Sequence, residues 1–368
     1  METLNLLSDP MFAKDSVEAV IQAANRFKEK YGRKAVFMEV CGSHTMAIAK
    51  SGIKTRLKDD VHLIAGPGCP VCVTDQESID SMIQLSQEPN RILCTFGDMM
   101  RVPGSKFSLM QAKTEGKDIR VVYSPLDTLK IAEQNPDKEV IFLGIGFETT
   151  IPILALTIQE AMTKRIKNFS IWMTTKLVEP VLRNLLESGQ VKIDGFILPG
   201  QVSVVLGKNK FLYLAEDYKI PGVISGFEPV QLLRGIYRLL NLLIDEKAEV
   251  INDYTYAVKD EGNQIAQNLI NDYLMPNDEG WRGIGIIPKS GLDLKEQYAR
   301  FDAKKKFNIS IQKPKMTKCR CGEIIRGLIS PEDCSLFNKG CTPINPIGPC
   351  MVSAEGTCAA HYQYMREE

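Results

Sequence analysis

The stretch VHLIAGPGCPVC, residues 61–72, decides how this chain is read. Its first half is a short continuous apolar run of the kind buried on both faces of a parallel sheet, and its second half breaks into glycines, prolines and two cysteines. Similar runs lie on either side, AVFMEV at 35–40 and RILCTFG at 91–97, and the segment DQESIDSMIQLSQ at 75–87 has the apolar spacing of an amphipathic helix. Alternating strand and helix implies parallel pairing, because parallel neighbours need a long crossover connection.

The alternation restarts beyond Glu115–Asp118, with DIRVVYSP, LDTLKIAEQN, EVIFLGIG, TTIPILALTIQEAMTK, FSIWMTT, VEPVLRNLLES and IDGFILPG in turn. The expected fold is α/β, with two Rossmann-like parallel-sheet units flanking a cleft, one over 32–117 and one over 118–227. A C-terminal mixed, largely helical domain follows over 228–368, opening on the helix EPVQLLRGIYRLLNLLIDE, and the helix within 1–31 is assignable to it. A chain of 368 residues exceeds one ordinary core and accommodates this division.

Composition removes several classes of function. Lys plus Arg and Asp plus Glu both total 45, so no global field favours nucleic acid or an anionic membrane. The N-terminus has no signal-peptide pattern and no apolar run reaches the ~18 residues of a membrane span, so a cytoplasmic protein is expected. In that reducing compartment ten cysteines point to metal or redox chemistry rather than structural staples.

Ligands of open parallel sheets sit beyond the carboxyl ends of the strands. The segments there are Cys41-Gly-Ser-His44, Gly66-Pro-Gly-Cys69-Pro-Val-Cys72, Phe96-Gly-Asp98, Gly144-Ile-Gly-Phe-Glu148 and Pro199-Gly-Gln201. Cys41 at a strand-to-helix turn meets the positive end of a helix dipole, which lowers a thiol pKa. The bland alternative makes it a small core residue beside a Ser43 or Thr45 cap. Cys69-x-x-Cys72 fits a redox pair as well as a metal site. A third thiol and the imidazole of His44 in the same cleft favour a soft metal nearby. Cys94, inside a strand, reads as a core side chain, as does His62 among apolar neighbours. Glu148 and Asp98 read equally as cleft acids or helix caps. The lone Gly144-x-Gly146 gives little support for dinucleotide binding, and no Walker-type loop occurs.

Six cysteines, at 319, 321, 334, 341, 350 and 358, crowd the last fifty residues. One tetrahedral zinc cannot use six thiols, whereas a four-cysteine [4Fe-4S] cluster leaves two over. Spacings of fourteen, six and sixteen residues suggest Cys319, Cys334, Cys341 and Cys358, but sets using Cys321 or Cys350, and zinc, stay open on spacing alone.

CGSHT at 41–45, GPGCPVC at 66–72, FGDMMRVPGS at 96–105, GIGFETT at 144–150, PGQVSVVLG at 199–207 and CTPINPIGPCMVSAEGTCAA at 341–360 together resemble the HypD family of hydrogenase maturation proteins over nearly the whole chain. The resemblance implies a [4Fe-4S] cluster on Cys319, Cys334, Cys341 and Cys358, with Cys321 and Cys350 as a neighbouring thiol/disulfide pair. It further implies an iron site at Cys41, oriented or proton-linked by His44, beside a redox pair Cys69 and Cys72. There a transient iron receives cyanide and carbonyl ligands as Fe(CN)2CO. The implied partners are HypC as co-scaffold and HypE as cyanide donor, with HypF acting through HypE, on a chain that is a monomer before they bind. Electrons would pass from the cluster through the thiol pairs. One position departs from the pattern: Gln201 stands where the family usually has histidine, so a titrating or ligating role there is in doubt. The competing reading is an iron-sulfur-dependent disulfide reductase acting on a thiol protein.

Overall fold

The computed structural model describes residues 10–309, 314 and 317–365. It is α/β, with two all-parallel sheets and one antiparallel hairpin. The strands are β1 (Ala35–Glu39), β2 (Val61–Ala65), β3 (Arg91–Thr95), β4 (Ile119–Val121), β5 (Glu139–Gly146), β6 (Phe169–Thr175), β7 (Gly195–Pro199), β8 (Gly222–Ser225), β9 (Val250–Asn252), β10 (Leu274–Trp281) and β11 (Gly285–Leu294).

The sheets are not built in sequence order, which corrects the expected division. The five-stranded sheet runs β2-β1-β7-β8-β9 and the four-stranded sheet runs β4-β3-β5-β6. The expected cut at 117/118 falls between β3 and β4, which pair from Leu93–Ile119 to Thr95–Val121. β7, expected in the second unit, pairs with β1, and β9, expected beyond it, closes the first sheet. The second sheet is an insertion between β2 and β7. Local alternation shows that strands are parallel but not which ones are neighbours, so a chain that leaves a sheet and returns looks like two consecutive units.

Each sheet is doubly wound, with its strand order reversing once, between β1 and β7 in the first and between β3 and β5 in the second. Such reversals splay the connections apart and leave a crevice at the carboxyl ends. One continuous apolar core joins the facing sides of both sheets with the C-terminal tail, through Val40, Leu93, Ile141, Leu198, Ile324 and Met351 among others. The tail is therefore packed into the body. Two further cores cover the outer faces, one under the helices Pro10–Tyr31 and Pro229–Ile244 and one under Ile151–Thr163. Pro229–Ile244 starts on a capping box, Glu228 with Gln231, and a proline in its first turn, where the missing N–H costs no helical bond.

The hairpin β10–β11, absent from the expected elements, runs beside β6: the Leu292 amide donates to Thr175 Oγ1 at 3.0 Å and that hydroxyl donates to the Leu292 carbonyl at 3.1 Å. Between them, the fully buried Lys176 pairs with Glu279 at 3.0 Å. No helix among the described residues is long and apolar enough to cross a membrane.

Candidate functional site

β1 delivers Cys41 to the crevice of the first sheet, where it occupies the N-cap of the helix Gly42–Lys50 in extended conformation. The segment after β2 is laced to it. Gly66 N–H donates to the Glu39 carbonyl at 2.8 Å, and Gly42 N–H donates to the Gly68 carbonyl at 3.3 Å. Gly68 has no room for a side chain: a Cβ there would lie 2.4 Å from Cys41 N and 2.5 Å from Cys41 Cα. Its glycine character thus sets the distance between the two cysteine segments.

Cys69 and Cys72 are joined in a disulfide, with Cα atoms 5.2 Å apart, across the short helix Pro70–Val73. Cys69 Sγ also accepts the Cys72 amide at 3.2 Å. Cys41 is a free, buried thiol. The expected acidification is overturned: burial pushes this thiol up to about 11 against the pull of the His44 amide, and the nearby Glu355 adds to the rise while Ser43 opposes it. The helix start is present, but dehydration of the thiolate outweighs it.

His44 is fully buried, and burial pulls its imidazole down to about 4. Its Nε2 lies 3.1 Å from the Gly226 carbonyl, which can only accept, so Nε2 carries the hydrogen and Nδ1 is left as a lone pair without a partner among the described residues. The ring packs on Phe227, with centroids 4.7 Å apart. Gln201 lies at the same crevice, after β7, and is exposed.

The tail closes this crevice. Ser43 Oγ donates to Glu355, whose backbone lies so close to Gly42 that a Cβ there would meet the Glu355 carbonyl at 2.8 Å. Two residues earlier Ser353 Oγ donates to Asp98 Oδ2 at 2.8 Å, at the crevice of the second sheet. Residues 353–355 thus bridge the reversal points of both sheets. Nothing local marks this; Ser43 and Glu355 are 312 positions apart.

All six tail cysteines line one small apolar cavity, with Ile324, Leu336, Phe337 and Met351. Cys319 is half-buried and the other five are buried; none is in a disulfide. The Cys358 thiol donates to Cys350, which holds Cys350 below and Cys358 above the usual thiol range. Cys319 interacts with Cys321, so the nearest thiol contacts join 319 to 321 and 350 to 358, while Cys321 and Cys350 share the cavity as free thiols. Cys341 Sγ accepts the Ile347 amide at 3.3 Å. The turn Pro349–Met351, which carries Cys350, packs against Pro70–Val73, which carries Cys72.

Among the described residues no three His, Cys, Asp or Glu side chains converge as ligands of one ion. A four-iron cluster takes one thiolate per iron, so its cysteines ring a volume instead of meeting at a point. Six soft donors around a cavity lined by no carboxylate, amine or imidazole fit that group.

The other expected residues fall into place as follows. Cys94 is buried in β3 with its thiol pushed up to about 12 by burial, a core side chain. His62 corrects the expectation: it faces solvent on the edge strand β2 and lines an open cavity with Lys54. Glu148 accepts the Val178 amide at 2.8 Å at the start of the helix Val178–Ser188, while its Oε2 is buried without a hydrogen-bond partner among the described residues; burial raises it to about 7. Glu39, which the sequence does not single out, lies two residues before Cys41 with both carboxyl oxygens buried near Thr45 and without a well-formed hydrogen bond among the described residues. A charge ending the apolar run AVFM was its only signal.

Comparison with known proteins gives a consistent result. The HypD model, described as "Hydrogenase formation hypA family", matches residues 15–365. The chain is 43% identical over 354 residues to the hydrogenase maturation factor HypD of Escherichia coli K12, covering 96% of this chain and 95% of that one. It is 44% identical to HypD of Cupriavidus necator H16, covering 94% of each. A putative hydrogenase expression/formation protein of Methanocaldococcus jannaschii is 42% identical, with 95% of this chain and 97% of that one covered.

Proposed function

The chain belongs to the HypD family of hydrogenase maturation factors, and from that premise we propose that it is the scaffold on which the Fe(CN)2CO unit of a [NiFe] hydrogenase is assembled, jointly with a small HypC-type chaperone. The observation that carries this reading is the backbone contact between Gly68 and Cys41, which brings the free-thiol and disulfide segments of two strand ends together. A disulfide reductase needs only the pair; an additional thiol beside it suits capture of a soft cation.

Iron is the cargo in this scheme. Cys41 rests as a protonated thiol, so capturing a cation releases its proton, as thiol ligation generally does. His44 Nδ1, a lone pair three residues along the chain, is assigned to take that proton in transit; a base of such low pKa passes a proton on instead of keeping it. The Cys69–Cys72 pair acts in its dithiol form on a thiocyanate presented by a HypE-type partner, itself supplied by a HypF-type protein. R–S–CN takes two electrons and two protons from the dithiol, giving R–SH and HCN while the S–S bond re-forms. Cys319, Cys334, Cys341 and Cys358 would hold a [4Fe-4S] cluster, with Cys321 and Cys350 beside it as thiols. When bound, that group supplies one-electron reducing equivalents.

The test is an infrared spectrum of the chain co-purified without oxygen with its small partner. Bands of metal-bound cyanide and carbonyl are expected. A brown, partner-bound preparation lacking both would replace the scaffold by the disulfide reductase.

A further inference from the structure

Five of the six tail cysteines are buried, and the half-buried one, Cys319, is informative. Cys319 and Cys321 line the small cysteine cavity and also a wider groove that opens to solvent. The groove is formed by the tip of the β10–β11 hairpin, the start of the helix Gln76–Leu85 and the turn at 317–326.

Its charge is uneven. Arg282, Arg320 and Arg326 face it, against Asp75 and Glu323. Arg320 is matched by Glu323 and Asp75 caps a helix through the Ser78 amide at 3.0 Å. Neither Arg282 nor Arg326 forms an ion pair among the described residues, and Arg282 Nη2 is buried there with no hydrogen-bond partner. Exposed Lys318 extends the positive rim.

The same arginine holds the other cysteine pair in place. Arg282 N–H donates to the Val73 carbonyl at 2.8 Å, its Nε donates to the Thr74 carbonyl at 2.9 Å and its Nη1 to Gln76 Oε1 at 3.2 Å. Next to it Gly283 lies against Gly322, where a Cβ on either would come within 2.7 Å of the other's Cα. The hairpin tip is thus wedged between the segment following Cys72 and the turn holding Cys321.

We propose that this groove is the docking surface for an acidic one-electron carrier protein of the ferredoxin or flavodoxin type, whose electrons would enter through the [4Fe-4S] cluster that Cys319 would help to hold, the group that would store the first electron until the second arrives. The proposal rests on the redox reading of the cysteine pairs given above. Opening the Cys69–Cys72 S–S bond to two thiols consumes two electrons and two protons, so the carrier docks twice per disulfide and the protons come from solvent. A positive rim around the one half-exposed cysteine would steer a negatively charged donor and make the encounter sensitive to salt.

The experiment uses the full chain, loaded anaerobically, and an acidic plant-type [2Fe-2S] ferredoxin as probe. Ferredoxin binding is read by calorimetry at low and high salt, and the release of Cys69 and Cys72 thiols by alkylation and mass spectrometry. Arg326→Glu, on the rim, is compared with the parent, and an uncharged photoreduced deazaflavin serves as a second donor. The expected result is binding that weakens with salt, an about tenfold slower ferredoxin-driven thiol release in Arg326→Glu, and unchanged release with the deazaflavin. Ferredoxin that does not bind, or whose action ignores the charge reversal while the deazaflavin still opens the disulfide, overturns the docking surface and leaves the redox reading intact. A disulfide that neither donor opens overturns the redox reading and this proposal together.

Discussion

Substituting Gly68 by alanine adds one methyl group at the point where two cysteine segments touch. The new Cβ would lie 2.4 Å from Cys41 N, 2.5 Å from Cys41 Cα and 2.6 Å from the Val40 carbonyl carbon. Backbone atoms cannot rotate away as a side chain can, so the segments must part by about an ångström to reach the ordinary contact distance of ~3.5–4 Å. Overpacking of this kind costs about 1–3 kcal/mol, and here the displacement falls on the Gly42 to Gly68 hydrogen bond at 3.3 Å. Gly97 is the control, at the end of β3, where an added Cβ finds its nearest neighbour at 3.8 Å. Gly68→Ala should lower the urea midpoint modestly and reduce bound iron per chain, with loss of the cyanide and carbonyl bands in the partner complex. Gly97→Ala should match the parent in both. A Gly68→Ala protein with parental iron content and infrared bands would refute the claim that this contact builds the site.

Cys41→Ser should remove the iron unit but keep the visible absorbance of the tail site, and Cys334→Ser should remove that absorbance; iron and sulfide analysis of both variants checks this, joint loss in Cys41→Ser would mean a general folding role, and unchanged iron and sulfide in Cys334→Ser would refute its place in the tail site. His44 is depressed to about 4 from 6.5, so the unfolded chain binds the extra proton between these values. Its contribution is present above about pH 6.5 and lost as pH falls through 4, on the order of 3 kcal/mol in total. Urea titrations from pH 7.5 to 4.5 should therefore show a shallower slope for His44→Gln than for the parent; equal slopes would contradict a buried neutral imidazole. Glu148 has the opposite sign. Raised to about 7, its stabilising protonated form is complete below about 4.5 and lost as pH rises through 7, so Glu148→Gln, which can still accept the Val178 amide, should raise stability at pH 8 by about 1–3 kcal/mol and leave it unchanged at pH 4.

The two-sheet organisation explains why three separate cysteine groups serve one reading. The segment after β2 carries Cys69 and Cys72 and is also the crossing from the first sheet to the second. Such a crossing is placed against both crevices without any dedicated loop. The tail then reaches both crevices through Ser43 and Asp98, and its Cys350 turn lies on the crossing helix. The tail thus completes both crevices, and a change at residues 353–355 is expected to be felt at Cys41.

Much of this was written in the local sequence. Runs such as VHLIA and EVIFLGIG are apolar throughout because both faces of a parallel strand are covered, and each of the five suspect segments does lie at the carboxyl end of a strand, two of them beginning within its last residues. The tail cysteines announced a common site by number alone, and six thiols do share one cavity. What the sequence could not carry is everything that depends on distance between remote residues. Pairing of β1 with β7 joins residues 158 positions apart, Phe37 with Gly195, with the whole second sheet folding in between, and hydrophobic periodicity is blind to partner choice. A helix terminus acts locally on the Cys41 thiol, but its pKa is set by burial in the packed crevice, which no local stretch reveals. His62 looked like core because its neighbours are apolar, yet β2 lies at a sheet edge with that side chain outward. The hairpin β10–β11 was hidden because its residues include Pro276, Asn277, Asp278 and Gly280, poor strand formers held by pairing along the hairpin and by packing on β6. Sequence thus determined the elements and the chemistry at their ends, whereas tertiary structure decided which ends meet, because burial and contact are properties of the whole chain.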